Sequence, residues 1–265
     1  MNYSIIGTGF IMPRHVEAIC YTKGKIIDVV NTAHGENTWK QAVKNPKTDC
    51  VVILTPNDLH FEMALEAAKN KKIVLCEKPL TIDSKKAEIL SKYPNIFTVL
   101  QLRHHPKVKK LKEEITKDEE YKIRMDISVH RDVWYYKIWK GQTKRSGGVL
   151  FNLGIHYFDL LLYLFGKPIE IKTLTSNDKT GTGIIKGKNY ICHWKVSTDE
   201  TKKKQRRIFK INNKSLNLSS KDNLSYENLH RHVYEDLLRG KSTTPKEALK
   251  SIKLIEQLYE NILGS

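Results

Sequence analysis

The sequence predicts an α/β fold in which a Rossmann-type doubly wound parallel sheet at the N-terminus is followed by a C-terminal α+β domain. Two observations predict the first part. Short apolar strands alternate with helical segments as far as residue 103, and a glycine turn joins the first strand to the first helix. Beyond residue 103, segments of alternating polarity indicate a largely antiparallel open sheet. We therefore place the two domains at 1–103 and 104–265.

The composition excludes several classes of protein. The chain has 265 residues, of which 40% are hydrophobic and 28% charged, as in a globular protein. No apolar run reaches the roughly 18–20 residues of a membrane span, and the chain enters its first strand without a leader sequence. We therefore expect a cytoplasmic protein with no membrane partner. The four cysteines lie singly among apolar residues, so we predict buried thiols and no metal site.

The formal net charge of +17 has three explanations: nucleic-acid binding, attraction of an anionic small molecule, or a lysine-rich surface. Basic clusters at 107–112 and 202–207 favour the last, because such runs are most often solvated. The sequence has no helix-turn-helix, zinc-finger or RNA-binding aromatic motif beside them. We therefore expect no nucleic-acid partner.

The first strand, Tyr3–Ile6, is followed by a glycine turn and then by a helix with Pro13 in its first turn. Gly7 allows the tight turn, and Gly9 lets the backbone approach a pyrophosphate whose charge would lie at the helix N-terminus. Met12 occupies the third position of this fingerprint, where glycine or alanine is usual. The turn therefore predicts a dinucleotide site, although its pattern is incomplete.

Four further buried strands continue the alternation. They are predicted at 26–30, 49–54, 72–76 and 96–100, with helices at 59–69 and 84–90. Asn31 follows the second strand, where dinucleotide-binding folds usually place an acid for the ribose hydroxyls. An amide can bind a hydroxyl, and no arginine follows closely to hold a 2′-phosphate, so the sequence favours NAD over NADP.

Polar residues follow three of these strands, at the edge where parallel sheets bind ligands. They are Thr55, Asn57 and His60 after the third strand, Glu77 and Lys78 after the fourth, and Gln101 and Arg103 after the fifth. Loops are often polar for no functional reason, but three such groups at one edge favour a cofactor site. Lys78 lies between an apolar strand and Pro79, so we expect it to face the crevice, where a lysine can take part in proton transfer.

In the second half of the chain, strands and helices no longer alternate. Extended segments are predicted at 121–130, 186–196 and 206–218, with helices opening at Tyr226 and Pro245. The segment 131–141 is crowded with aromatic and cationic residues. It is either an aromatic patch buried at a subunit contact or a pocket that stacks on flat groups and holds anions. His230 and His232 lie two apart in a helix and point to different sides, so they do not form a metal pair.

One helix, predicted over 148–165, runs from a paired glycine to a Gly-x-Pro stop. Asn152, His156 and Asp159 are spaced i, i+4 and i+7, so at about 100° per residue they share one narrow polar face of an otherwise apolar helix. Burying such groups costs a few kcal/mol each unless each is paired. The polar face is therefore either a paired network in the core or the wall of an active site.

The chain resembles the glucose–fructose oxidoreductase and inositol dehydrogenase family in three motifs. They are Gly7-x-Gly9, Glu77-Lys78-Pro79, and Gly147-Gly148 leading to Gly154-x-His156-x-x-Asp159. The likeness covers nearly the whole chain. Within the family, the segments 98–106 and 134–141, Asn152, and the pair Leu229-His230 are similar to the bacterial UDP-N-acetylglucosaminuronate 3-dehydrogenases of surface-polysaccharide synthesis.

The resemblance implies a dinucleotide-binding domain at 1–103 and a substrate-binding and oligomerisation domain at 104–265. It implies oxidation of the C3 hydroxyl of a UDP-N-acetylglucosaminuronate-type nucleotide sugar by NAD, which gives a 3-keto product for a following aminotransferase. In this family Lys78 and His156 would lie beside the reacting carbon. We take His156 as the base and Lys78 as its partner in polarising the oxygen, although these roles could be exchanged.

The resemblance also implies two wider sets of site residues and a homo-oligomer, dimer or tetramer. The cofactor set is Gly7, Gly9, Phe10, Ile11, Asn31, Thr55, Asn57, His60, Glu77, Lys78 and Gln101. The substrate set is Arg14, Arg103, Arg131, Tyr136, Trp139, Lys140, Asn152, His156, Asp159 and His230. Two alternatives stay open: a dehydrogenase of the same fold that acts on a free sugar, cyclitol or uronate, and a noncatalytic protein that binds NAD or nucleic acid.

Overall fold

A computed structural model of the chain describes residues 1–31, 35, 37–218 and 226–261. The chain forms two compact units. The first comprises Met1–Gln101 and Asn223–Leu249, and the second comprises Leu102–Asp222 and Lys250–Ser265. The start of the second unit lies close to the boundary predicted at residue 103, but the assignment of all of 104–265 to a second domain differs from the structure.

The first unit contains a parallel five-stranded sheet. Its strands are β1 (Asn2–Ile6), β2 (Lys25–Val30), β3 (Cys50–Ile53), β4 (Ile73–Cys76) and β5 (Ile96–Thr98), in the order β2-β1-β3-β4-β5. The helices between them are α1 (Met12–Tyr21), α2 (Thr38–Lys44), α3 (His60–Lys69) and α4 (Ser84–Leu90). Strand β3 is buried throughout, as expected of a parallel strand covered on both faces. The predicted Rossmann-type sheet is confirmed, and α2 is a helix that the sequence analysis did not predict.

The second unit contains a six-stranded open sheet. Its elements are α5 (Pro106–Glu114), β6 (Tyr121–Ser128), α6 (Val133–Lys137), α7 (Thr143–Ser146), α8 (Ile155–Phe165), β7 (Pro168–Ser176), β8 (Thr180–Gly187), β9 (Tyr190–Ser197), β10 (Arg206–Ile211) and β11 (Lys214–Asn217). The order is β11-β10-β6-β9-β8-β7; the β6–β9 pair is parallel and the other described pairs are antiparallel. The predicted largely antiparallel sheet is confirmed.

The prediction of a single strand over 186–196 is wrong. Residues 188 and 189 form the turn of a hairpin, so β8 ends at Gly187 and β9 starts at Tyr190. At Gly187 a side chain would collide with Tyr190, because an added Cβ would lie 2.0 Å from that ring. Strand β7 was not predicted, and β10 and β11 are separated by a turn with a positive φ of 48° at Asn212.

Two helices close the described chain: α9 (Tyr226–Leu238) and α10 (Pro245–Glu260). Helix α9 belongs to the first unit because its apolar face packs into the core of the parallel sheet. Val233, Tyr234 and Leu237 join a cluster of buried residues that includes Tyr3 and Ile19. Local periodicity predicts such an apolar face, but it does not say which sheet the face will cover.

The helix predicted over 148–165 is interrupted. Gly147 and Gly148 both have a φ of 78°, the next turn, Leu150–Gly154, is a π-helix, and regular α-helix begins at Ile155. Among the described residues, Thr143–Phe165 is the one segment long and apolar enough to cross a membrane, with a hydropathy of 1.5 over its most apolar window. However, 67% of that window is buried inside the molecule, as in the core helix of a globular domain.

Candidate active site

The first half of the candidate site is the turn after β1. Gly7 has a φ of +106°, and its N–H donates to the carbonyl of Val30 over 2.8 Å. A Cβ at this position would lie 2.7 Å from the carbonyl carbon of Leu54, closer than real side chains approach. The turn therefore requires glycine, because both its backbone angle and its packing exclude a side chain.

The next part of the turn leaves room for a ligand. An added Cβ at Gly9 would meet no described atom within 4 Å, and Phe10 is 76% exposed. Ile11 precedes α1, a helix of 10 residues with proline near its start and no acidic residue in its first turn. Open space beside the backbone of a glycine turn at a helix N-terminus suits a pyrophosphate, so these residues fit the NAD predicted from the sequence.

Asn31, predicted to bind the ribose, lies at the end of β2 and reaches back to this turn. Its side-chain amide donates to the hydroxyl of Thr8 over 2.9 Å. The bond ties the end of the second strand to the glycine turn. Contact with a ribose stays a prediction.

Residues after β3 and β4 are joined by His60. Its ring nitrogens lie 2.9 Å from the carbonyl oxygen of Thr55 and 2.7 Å from that of Pro79, and its side chain is fully buried. Burial lowers the pKa of His60, and the two carbonyl contacts oppose that change. His60 therefore holds two loops together, and Asn57, which lies in the first of them, is itself buried; contact of either with a cofactor stays a prediction.

A buried polar cluster surrounds the glutamate after β4. Glu77 Oε1 lies 3.0 Å from His15 Nε2 and 3.7 Å from His230 Nε2, and Glu77 Oε2 accepts from the backbone N–H of Lys78 over 3.1 Å. His15 Nδ1 lies 2.9 Å from the hydroxyl oxygen of Tyr234. Burial alone would raise the pKa of Glu77, but the hydrogen bond from His15 and the nearby His230 bring it well below its ordinary value.

The sequence analysis missed two members of this cluster, His15 and Tyr234. The available signal was position, because His15 shares the buried face of α1 with Ala18 and Ile19, where a polar side chain needs a partner. His230 was predicted to bind substrate. The structure instead buries it completely in the first unit, beside Glu77, so its effect on a ligand would pass through that carboxylate.

At the end of the same sheet, Gln101 has a buried side-chain oxygen without a hydrogen-bond partner among the described residues. The residue is 5% exposed. Buried acceptors are usually satisfied, so an orphaned one indicates that something else donates to it. The carboxamide of a nicotinamide is a donor of this kind, and Gln101 therefore also fits the predicted cofactor.

The second unit presents Asn152 and His156 around its π-helical turn. Asn152 lies within the turn and donates its amide to the hydroxyl of Tyr135 over 2.6 Å. Both Asn152 and His156 are partly exposed. Because a π-turn contains an additional residue, the predicted angle of 100° per residue does not hold between them, and such turns are frequent at functional sites.

The backbone before this turn is held by Tyr259 of α10. Its hydroxyl donates to the carbonyl of Gly147 over 3.1 Å and accepts from the N–H of Leu150 over 3.1 Å. The ring of Tyr259 also stacks on Phe151, with centroids 6.4 Å apart. The paired glycines and the π-turn are therefore clamped by a residue from the far end of the chain.

Asp159 forms a buried ion pair, and its contact with substrate stays a prediction. It was predicted to bind substrate, but its carboxylate is buried and accepts from Arg103 at 2.8 Å and 2.7 Å, in a two-pronged ion pair. The hydroxyl of Ser251 lies 3.5 Å from the same carboxylate. Two residues assigned to the substrate are thus committed to each other. Asp159 therefore belongs to a paired network in the core, which is the first explanation given for the polar face. Asn152 and His156 are partly exposed, as the second explanation, the wall of an active site, requires.

The remaining predicted substrate residues lie in and around 131–141. The hydroxyl of Tyr136 donates to the carbonyl of Thr198 over 2.9 Å, and the guanidinium of Arg131 lies 5.3 Å from the ring centre of Tyr135. Lys140 Nζ lies 5.8 Å from the ring centre of Trp139. Arg14 lies on α1 in the first unit and is partly exposed. Arg131, Trp139 and Lys140 therefore supply the cations and flat rings expected of an anion pocket, and their contact with substrate stays a prediction.

Lys78 and His156 belong to different units. Lys78 is partly exposed directly after β4, and His156 is partly exposed in the first turn of α8. That they meet beside one nicotinamide ring stays a prediction.

Comparison with known proteins shows that both units match profiles of one protein family. Residues 1–94 match the profile described as oxidoreductase family, NAD-binding Rossmann fold, and residues 119–198 match that of the C-terminal alpha/beta domain of the same family. The chain is 27% identical over 214 residues to the 2,7-anhydro-N-acetylneuraminate hydratase of Escherichia coli, covering 69% of this chain and 54% of the relative. It is 26% identical over 200 residues to the myo-inositol 2-dehydrogenase of Thermotoga maritima, covering 64% and 56%. The chain thus spans about half the length of these curated relatives.

Solved structures show the same fold over the whole chain. A WlbA (WbpB) dehydrogenase from Thermus thermophilus in complex with NAD and UDP-GlcNAcA has a TM-score of 0.84 at 24% identity, covering 100% of this chain and 99% of that one. The same dehydrogenase with NAD and alpha-ketoglutarate has a TM-score of 0.86, with coverages of 99% and 98%. The glycine turn, the Glu-Lys-Pro motif and the two matched domains together show that this chain belongs to the Gfo/Idh/MocA oxidoreductase family, with an NAD-binding Rossmann fold in its first unit.

Proposed function

We propose that this NAD-dependent oxidoreductase acts in the cytoplasm and oxidises the C3 hydroxyl of a UDP-N-acetylglucosaminuronate-type nucleotide sugar. The observation that carries the proposal is the pairing of motifs. Lys78 follows β4 in Glu77-Lys78-Pro79, and His156 follows a π-turn that also holds Asn152. The solved WlbA dehydrogenase with NAD and UDP-GlcNAcA supports the choice of substrate, because its fold matches this chain from end to end.

Oxidation of a secondary alcohol needs a hydride acceptor and a group that takes the hydroxyl proton. Bound NAD supplies the hydride acceptor. The imidazole of His156 takes the proton, and the ammonium group of Lys78 stabilises the negative charge that develops on the oxygen. Asn152, whose amide donates to the hydroxyl of Tyr135 over 2.6 Å, holds a sugar hydroxyl.

The anionic end of the substrate is assigned to the aromatic and cationic segment 131–141. Arg131 and Lys140 each lie near an aromatic ring, which orients the cation. A uracil ring could stack on the exposed Trp134, which is 57% exposed. The positive net charge of the chain would favour encounter with a substrate that has a carboxylate and a diphosphate.

A second candidate function is oxidation of a free sugar or cyclitol. Two observations favour it: a curated relative from Thermotoga maritima is a myo-inositol 2-dehydrogenase, and Arg103 is already paired with Asp159. The pairing removes one of the cations assigned to a nucleotide sugar. A small uncharged polyol would need fewer cations than a nucleotide sugar does.

A substrate panel separates the two functions. Purified protein is incubated with NAD and, in turn, UDP-N-acetylglucosaminuronate, UDP-N-acetylglucosamine, the free uronate, myo-inositol and scyllo-inositol, and NADH is followed by absorbance. We expect NADH formation with the UDP-uronate and none with the free uronate. Turnover of an inositol with no response to any UDP-sugar would contradict the proposal and support the second candidate.

We also propose two partners, a following enzyme and further copies of this chain. A 3-keto nucleotide sugar is a substrate for transamination, so we expect an aminotransferase to act next. We also expect a homo-oligomer, dimer or tetramer, which light scattering of the purified protein would test.

A further inference from the structure

Four polar side chains from three elements meet inside the first unit. They are His15 of α1, Glu77 at the end of β4, and His230 and Tyr234 of α9. Glu77 is 8% exposed and the other three are fully buried. Burying so many polar groups costs free energy even when each is hydrogen-bonded, and an apolar cluster would join α1 to α9 at lower cost. The cluster therefore needs a reason besides packing.

A chain of hydrogen bonds connects Tyr234 to the backbone of Lys78, the predicted catalytic lysine. A neutral His15 can accept from the Tyr234 hydroxyl at Nδ1, 2.9 Å away, and donate from Nε2 to Glu77 Oε1, 3.0 Å away. Glu77 then accepts from the backbone N–H of Lys78 through its other oxygen, over 3.1 Å. Burial lowers the pKa of His15, which agrees with a neutral ring beside an ionised carboxylate.

His230 approaches Glu77 from the other side. Its Nε2 lies 3.7 Å from Glu77 Oε1, and its ring meets that of His15 edge-on, with centroids 5.1 Å apart. Ligand atoms of His15, Glu77 and His230 lie within 4.8 Å of one another, a spacing that a metal ion could bridge. However, the His15–Glu77 contact is already a hydrogen bond of ordinary length, which a metal would have to break.

We infer that His15 and His230 are positioning residues that hold the Glu77 carboxylate against the backbone of Lys78 and so direct the Lys78 side chain. The inference rests on the proposed function, since it assigns these residues to the same reaction. One carboxylate oxygen is hydrogen-bonded to His15 and has His230 beside it at 3.7 Å, and the other oxygen accepts from the backbone N–H of Lys78. A change in either histidine therefore moves Lys78 without touching it.

The test begins with a readout that needs no substrate. Folded protein is treated with a limiting amount of acetic anhydride, and acetylation of Lys78 is measured by peptide mass spectrometry relative to Lys110, an exposed lysine of the second unit. The variants are His15→Leu, His230→Leu, Glu77→Gln and the conservative His15→Gln, which keeps an N–H donor. His232→Gln is the matched control, since His232 lies on the same helix, pairs with Glu235 over 2.9 Å and is half-exposed.

We expect the Lys78 acetylation rate to change by about threefold or more in the leucine and Glu77→Gln variants, because amine reactivity follows local charge and access. It should stay close to wild type in His15→Gln and unchanged in His232→Gln. Once a substrate is known, kcat of the leucine and Glu77→Gln variants should fall by about 10-fold or more with little change in KM for NAD. This is the effect of a slightly misplaced catalytic group.

Two results would overturn the inference. One is an unchanged Lys78 acetylation rate in folded variants whose thermal stability has fallen, since the cluster would then be structural only. The other is a stoichiometric metal ion in the purified protein that is lost in His15→Gln. Where a leucine variant does not fold, Glu77→Gln and His15→Gln decide the matter. Failure of every substrate in the panel leaves the acetylation result valid, so the inference and the proposed function fail separately.

Discussion

Replacing Asp159 with asparagine distinguishes a structural carboxylate from a substrate ligand. The substitution keeps the shape of the side chain and removes its charge. In the structure the carboxylate accepts two hydrogen bonds from Arg103, at 2.8 Å and 2.7 Å, and is 2% exposed. Asparagine can accept only one of these bonds and leaves a guanidinium without its counter-charge.

The magnitude follows from this burial. Breaking a buried ion pair by changing one partner costs about 3–5 kcal/mol of unfolding free energy. The side chain of Arg103 is 12% exposed and its guanidinium also lies 5.0 Å from the ring centre of Tyr163, so part of its charge stays stabilised. We therefore expect the lower end of that range, about 3 kcal/mol.

Urea unfolding of the full chain, followed by tryptophan fluorescence, measures the effect. The matched control is Asp118→Asn, at an exposed position of the same unit. Replacing both partners, as Arg103→Met with Asp159→Asn, should recover part of the loss, because no uncompensated charge is then left buried. If Asp159→Asn unfolds like Asp118→Asn but raises KM for the sugar, the carboxylate binds substrate and the structural assignment is wrong.

The remaining predictions concern turnover, the glycine turn and pH. His156→Asn should keep NAD binding, measured by NADH fluorescence, and lower kcat by roughly 10²–10⁴; equal kcat would remove His156 from the mechanism. Gly7→Ala should destabilise the fold in thermal unfolding, because its Cβ would meet the backbone that follows β3, whereas Gly9→Ala should fold normally and weaken NAD binding; equal stability loss in both would contradict this distinction. Burial alone would raise the pKa of Asp126, but hydrogen bonds, of which the one from Arg206 is the largest, hold that pKa below its ordinary value. The ionised Asp126 therefore stabilises the fold above about pH 4. This stabilisation is lost as the pH falls through the lowered pKa. Asp126→Asn should therefore flatten the acid limb of the stability curve, and an unchanged limb would refute this.

Much of the fold could be predicted from the sequence because its signals are local. Five short apolar strands in alternation with helices predict a parallel sheet wherever they occur, since both faces of each strand need cover. The need for glycine at Gly7 could also be predicted, because only glycine combines a positive φ with such close packing. The hairpin after Gly187 was missed, because the extended segment predicted at 186–196 ran through its turn and left out most of β8.

The same distinction between local and long-range signals applies to the candidate site. The sequence by itself determined that Lys78 follows a buried strand and that Asn152 and His156 lie in one helical segment, because neighbours along the chain stay neighbours in space. Only the tertiary structure decided that Asp159 pairs with Arg103, 56 residues away, and that His15 meets Glu77, 62 residues away. Such contacts depend on how helices and strands pack, and a buried polar side chain finds its partner wherever packing brings one, which no local pattern records.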